Sequence, residues 1–187
     1  MRGCLRFPCV SAYCAVDIAA RFPDLVAGIV AMQAPSWSDE VTWKHRLDLG
    51  GILSKPVIGQ LALRALRRKV PRTWFGAAVG RRELLAEFVE TADVAMTEGA
   101  CFCLASVFQR YLTDEAPVPG PVRQPAMVIW GEADRSHRKT DKASTLTLLP
   151  GAREERFEKA GHFPELEEPE RFAAVVREWV DRGRRAP

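Results

Sequence analysis

The chain has 187 residues, enough for one domain with a real core or a core carrying a small cap; its 47% hydrophobic and 27% charged content is ordinary for a soluble globular protein. A net charge of +3 is too small an excess to imply a nucleic-acid or membrane partner, and no apolar run approaches the ~20 residues of a membrane span. The five cysteines, Cys4, Cys9, Cys14, Cys101 and Cys103, are odd in number, accompany no export signal and lack zinc-ligand spacing, so neither a disulfide framework nor a metal is expected.

Residues 1–8 are too short and interrupted for a signal-peptide apolar region, which points to the cytoplasm. Residues 1–35 read as strand, sharp turn, helix and strand. Ala12, Ala15, Val16, Ala19 and Phe22 recur at helical spacing, Pro23 ends the helix, and 25–30 is a buried strand. Cys4, Cys14, Cys101 and Cys103 read as small buried hydrophobes. Three helical stripes follow: Ile58, Leu61, Ala62, Ala65 and Leu66; then Leu84, Leu85, Phe88, Val89 and Ala92, with Glu83, Glu87 and Glu90 on the wet side; then Cys101, Leu104, Ala105, Phe108 and Leu112. Arg64, Arg67, Arg68 and Lys69 crowd the first of these helices as a solvated face. His45, set among polar neighbours, reads as a surface residue. Residues 113–125 carry Pro117, Pro119, Pro121 and Pro125 and form a linker rather than a helix.

The apolar run 126–130, closed by Gly131, reads as a strand buried on both faces. His137 reads as a loop residue. Residues 154–158 make a charged strand suited to an exposed edge. Pro169 opens the last helix, whose buried face is Phe172, Val175, Val176, Trp179 and Val180; the basic tail from Arg182 is expected to fray.

Two loops carry the chemistry, because in open α/β sheets reactive groups sit beyond the carboxyl ends of strands. One is Gly131-Glu132-Ala133-Asp134. The other runs Ala160-Gly161-His162-Phe163-Pro164-Glu165-Leu166-Glu167. This G-x-x-D turn and G-H loop resemble the last third of the α/β-hydrolase fold, and residues 19–30 resemble that family's post-elbow helix and sixth strand. The resemblance implies an α/β fold comprising the C-terminal half of the parallel sheet, strands five to eight. A helical cap would be inserted between strands six and seven, with 1–35 and 122–187 as core and 36–121 as cap.

The resemblance further implies that Asp134 is the orienting acid and His162 the general base. It places the nucleophile about fourteen residues before Pro23, which lands on Cys9. There Phe7-Pro8-Cys9-Val10-Ser11 stands in place of G-x-S-x-G. Ser11 and Ala12 are small enough for the close strand–helix approach, but Phe7 departs from the pattern. Ser11 is the competing nucleophile, with bulky Tyr13 downstream as the objection. Val10 would give one oxyanion amide, and a nearby imidazole plus a helix N-terminus would lower the Cys9 pKa. Trp37, Trp43, Trp74, Phe75 and Phe102 serve mainly packing, some of them lining an apolar pocket.

The implied function is hydrolysis of an ester, thioester or lactone in a small, partly apolar molecule, with no cofactor. Dehalogenases and epoxide hydrolases have similar caps but use an elbow aspartate; here Asp17 lies inside the helix. A degenerate relic or binding protein is the third reading. It is carried by Phe7-Pro8 and by the lack of residues for the first four strands and for the loop that donates a second oxyanion amide. Losing one such donor costs ~10²–10³ in turnover, so the isolated 187 residues are expected to hydrolyse nothing efficiently.

Overall fold

The computed structural model describes residues 3–113 and 120–185. Four strands, β1 (Gly3–Pro8), β2 (Val26–Met32), β3 (Ala126–Gly131) and β4 (Arg153–Phe157), form one parallel sheet in the order β1-β2-β3-β4. Leu5 lies opposite Ile29, Val30 opposite Met127, and Met127 opposite Arg153. In β2 and β3 the side chains alternate between two separate cores, as a strand period of two requires. Ile29, Ala31, Val128 and Trp130 face the first; Val30, Met32, Met127 and Ile129 face the second.

Helix α1 (Ala12–Arg21) closes the first core through Ala12, Ala15, Val16 and Ala19. Phe22 does not join them and is 54% exposed, because the helix stops at Arg21 and the backbone leaves it at φ −129°. The second core is closed by the last helix, which packs so tightly on β2 that a Cβ on Gly28 would lie 2.7 Å from the Trp179 ring. Phe172, Val175 and Val176 complete that face as expected. The two outer strands carry the polar residues. β4 presents Arg153, Glu154, Glu155 and Arg156 in ion pairs along a charged edge, which discourages further pairing.

Between β2 and β3 the chain is helical. Helix α2 (Trp37–Leu47) is capped by Ser36, whose Oγ accepts from the Asp39 amide at 3.2 Å. Helices α3 (Ile58–Ala65), α4 (Lys69–Ala78), α5 (Leu85–Ala95) and α6 (Cys101–Ser106) follow. The stripe expected on α3 faces the wrong way. Ile58, Leu61 and Leu66 are exposed, while Gly59 is buried and Leu63 packs against Cys101 and Ala105 of α6. The helix turns its flattest surface inward because the turn before it approaches there: a Cβ on Gly59 would sit 2.3 Å from the Leu53 carbonyl oxygen. The basic cluster is also divided, since Lys69 begins α4 rather than ending α3. The third stripe is borne out by buried Cys101, Ala105, Phe108 and Leu112, whereas Cys4 and Cys103 are exposed.

Arg82–Tyr111 has the length and hydropathy of a membrane-crossing helix, which the sequence reading did not find. Gly99, at φ 114°, breaks it into two pieces, neither reaching ~20 residues. Pro117 and Pro119 of the linker lie outside the described residues, and 120–125 has no regular secondary structure. After α7 (Pro164–Glu167) comes α8 (Pro169–Arg185), whose last turn occupies the segment expected to fray.

Candidate active site

Because all four strands run the same way, their carboxyl ends line one edge of the sheet, and the residues that follow them converge. Cys9 follows β1 directly, Gln33 follows β2, Asp134 stands on the turn after β3, and His162 on the loop after β4. The structure therefore gathers every residue singled out in the two loops and at the front of the chain.

Cys9 has φ 49°, a left-handed conformation that costs a non-glycine residue ~1–3 kcal/mol and persists only where the surroundings impose it. The strain marks a sharp turn from strand to helix. The backbone at Val10 acts to lower the Cys9 thiol pKa. Ser11 is ordinary by comparison: it has helical φ and ψ, and its hydroxyl donates back to the Pro8 carbonyl. Cys9, not Ser11, occupies the strained position.

His162 is 1% exposed and its Nδ1 lies 2.8 Å from Asp134 Oδ2. Asp134 also accepts from Gln33 Nε2 at 3.1 Å, from the Ser136 amide at 2.8 Å and from the Ser136 hydroxyl at 2.6 Å. Burial pushes this carboxyl up, but the bond from His162, the favourable electrostatics of His162 and then His137, and the Ser136 hydroxyl outweigh it and hold the pKa below the ordinary value. The ionised carboxylate fixes the proton on Nδ1 and leaves the Nε2 lone pair of His162 free.

Three further groups stand beside this pair, among them His137, which the sequence marks only as a loop residue. His137 is fully buried, its ring near-parallel to Trp43 (5.0 Å, 6°) and to His162 (5.3 Å, 21°). Burial first, then the adjacent His162, lowers its pKa to about 3, so it is neutral. Its Nδ1 is 3.2 Å from Thr140 Oγ1, while its Nε2 has no partner. The Cys9 sulfur and one ring nitrogen each of His137 and His162 all lie within 4.8 Å of one another. The chain spacing of cysteines and histidines carried no trace of this grouping, because the donors come from three separate loops.

Glu40, on α2, is fully buried with Oε1 3.8 Å from the Cys9 sulfur and Oε2 unpartnered. Burial raises its pKa to about 8, with the Cys9 thiol and the Tyr13 hydroxyl acting in the opposite direction. The Cys9 thiol is pushed well up as well, by burial first and then by Glu40. The expectation of a lowered thiol pKa is thus overturned: a buried carboxyl group sits where the sequence suggested only cationic influence.

Gln33 is the third, at φ 50° and fully buried, bridging Asp134, the Gly161 carbonyl (3.1 Å) and the Gly131 amide (3.3 Å). Only its place just past a buried strand hinted at it. The histidine loop is pinned from the helical side as well. The His162 amide donates to Ala78 O at 2.8 Å, and buried Glu167 accepts from the Gly80, Arg81 and Gly161 amides at 2.8, 2.8 and 2.9 Å. Backbones nearly touch here. A Cβ on Gly131 would fall 1.8 Å from Gly161 O, which explains the glycine opening each loop. Trp74 of α4 lies 5.4 Å from His162, and Phe163 packs among Trp74, Phe75 and Phe88. An open surface groove between α4 and α5, lined by Arg72, Leu85, Val89 and Asp93, shares no residue with this cluster.

Residues 9–175 match the profile of the alpha/beta hydrolase family. No curated protein matches the chain by sequence. Among solved structures, a thermophilic esterase superposes with a TM-score of 0.70 at 13% identity, covering 97% of this chain and 67% of that one. Est816, described as an N-acyl homoserine lactone degrading enzyme, gives 0.59 at 19% identity, covering 95% and 67%. The epoxide hydrolase of Bacillus megaterium gives 0.58 at 16% identity, covering 96% and 69%. At such identities the likeness is one of fold, and the chain spans about two thirds of each structure's length.

Proposed function

The chain belongs to the alpha/beta hydrolase family, and on that premise we propose that it hydrolyses an acyl bond of an ester, thioester or lactone through Cys9, His162 and Asp134. The observation that carries this reading is the buried 2.8 Å Asp134–His162 bond with the Cys9 sulfur, on its strained turn, within 4.8 Å of the same imidazole. The buried thiol is held protonated, so His162 Nε2 takes its proton as the sulfur attacks the carbonyl carbon. The carbonyl electrons move to oxygen, where the Val10 amide donates. The carbonyl then re-forms and expels the leaving group, which takes the proton from His162. Water, deprotonated by the same nitrogen, attacks the acyl carbon; the carbonyl re-forms and expels the Cys9 sulfur, which takes the proton back from His162. Asp134 stays ionised and holds the ring. The helical insertion acts as a cap, its Trp74 and the Phe163 cluster offering an apolar wall to a small substrate.

The test is turnover of an activated ester and an activated thioester. Cys9→Ala is expected to abolish it and Ser11→Ala to leave most of it. The reverse pattern reassigns the nucleophile. A second reading, a non-catalytic member of the family, is favoured by the raised thiol pKa. Wild-type protein that is folded yet inert toward both substrates would support it. Fold likeness to an epoxide hydrolase does not extend to chemistry here, since position 9 carries a thiol and Asp17 lies on α1.

A further inference from the structure

We propose that Cys9, His137 and His162 form a binding site for a divalent metal ion of the zinc type. Sulfur and two imidazole nitrogens lie within 4.8 Å of one another, close enough for modest side-chain motion to bring them to ~2.0–2.3 Å from one ion. Cys/His/His is a donor set that zinc accepts, and three protein ligands leave a fourth position open to water.

Two further observations point to a ligand. First, each histidine is already held through Nδ1: His162 by Asp134 at 2.8 Å and His137 by Thr140 at 3.2 Å. Metal-ligating histidines are oriented in this way, with the second nitrogen aimed at the ion. Second, His137 Nε2 is buried without a partner among the described residues, an arrangement rare in folded proteins unless something fills it. Nothing in the hydrolytic scheme uses that nitrogen. Trp43 lies flat against the ring at 5.0 Å, so the nitrogen cannot swing out to solvent. Glu40 adds a second buried atom without a partner among the described residues, beside the same sulfur, with its other oxygen 3.8 Å from it.

On binding, the Cys9 S–H bond breaks, its proton leaves to solvent, and a sulfur–metal bond forms; no electron is transferred. The ion then occupies the lone pairs that Cys9 and His162 would use in acyl transfer. Metal-bound protein is therefore inactive and a chelator restores it, a consequence that rests on the hydrolytic reading, whereas binding itself does not.

The test is titration of reduced, metal-free protein with Co²⁺, read by absorption, followed by displacement with Zn²⁺. One Co²⁺ per chain is expected, with a sulfur-to-cobalt charge-transfer band in the near ultraviolet and the strong visible bands of a four-coordinate ion. Cys9→Ser is expected to remove the charge-transfer band. His137→Gln is expected to weaken Zn²⁺ at least about tenfold in competition with a chromophoric chelator, while His45→Gln has no effect. Absence of the band in wild type, or a band that survives in Cys9→Ser, overturns the site; so does unchanged Zn²⁺ affinity in folded His137→Gln. If circular dichroism shows that His137→Gln does not fold, Cys9→Ser alone decides. No substrate is involved, so this result and the turnover result fail independently.

Discussion

Gln33 shows how a single residue can govern a site it does not enter. Its amide nitrogen bonds Asp134 and the Gly161 carbonyl, and its oxygen takes the Gly131 amide, tying the loops of Asp134 and His162 to the end of β2. Gln33→Met keeps the bulk and removes those bonds. We expect kcat to fall about tenfold with KM nearly unchanged, the equivalent of ~1.4 kcal/mol of lost positioning, and stability to fall by ~1–3 kcal/mol for the amide left bare. Steady-state kinetics and denaturant unfolding check the two parts. At this scale Asp134 and His162 were legible, because each stands in a short local pattern behind a glycine. Gln33, Glu40 and His137 were not. What makes them notable is burial, and burial depends on what packs over a residue rather than on its neighbours in the chain.

Among elements, α2 and α3 are joined by a turn that one carboxylate organises. Asp48, just past α2, accepts from the Leu53 amide at 2.7 Å, the Ser54 amide at 2.9 Å and the Ser54 hydroxyl at 2.6 Å. Burial pushes its pKa up, but the Ser54 and Leu53 bonds prevail and hold it below the usual aspartate value. A carboxyl depressed in the folded state adds stability that is complete above the unfolded pKa of about 4 and disappears as pH falls through the lower folded value. Asp48→Asn should therefore lower Tm at pH 7, with the gap to wild type closing below about pH 4; thermal scans across pH measure it. The insertion's helices were legible as periodic stripes. The face of α3 was not, because Gly59 meets the Leu53 carbonyl and Leu63 meets α6 while Ile58 and Leu61 look outward. Periodicity reports that a helix has an apolar face and says nothing of a small-residue face that a neighbour approaches more closely.

Across the whole molecule, Glu167 is where the helical insertion meets the sheet. It joins Gly80 and Arg81, just past α4, to Gly161 beside the histidine. Glu167→Gln would set an amide N–H₂ against backbone N–H groups in a fully buried place. A loss of ~3 kcal/mol is expected, read as a lower midpoint in denaturant, together with reduced turnover as His162 loses its anchor. Arg81→Met, at a partly exposed position, should cost much less.

The sequence alone determined the α/β class, the apolar strands β2 and β3, the helices that close each core, and the loops bearing Asp134 and His162. These are set by local period, by proline and glycine placement, and by burial on both faces of a parallel strand. Only the tertiary structure decided that Cys9 takes the strained turn while Ser11 bonds back to Pro8, that Glu40 raises the thiol instead of a cation lowering it, and that His137 stands in the site. Those outcomes depend on distances between segments far apart in the chain, which parallel strands bring to one edge and which no local pattern encodes.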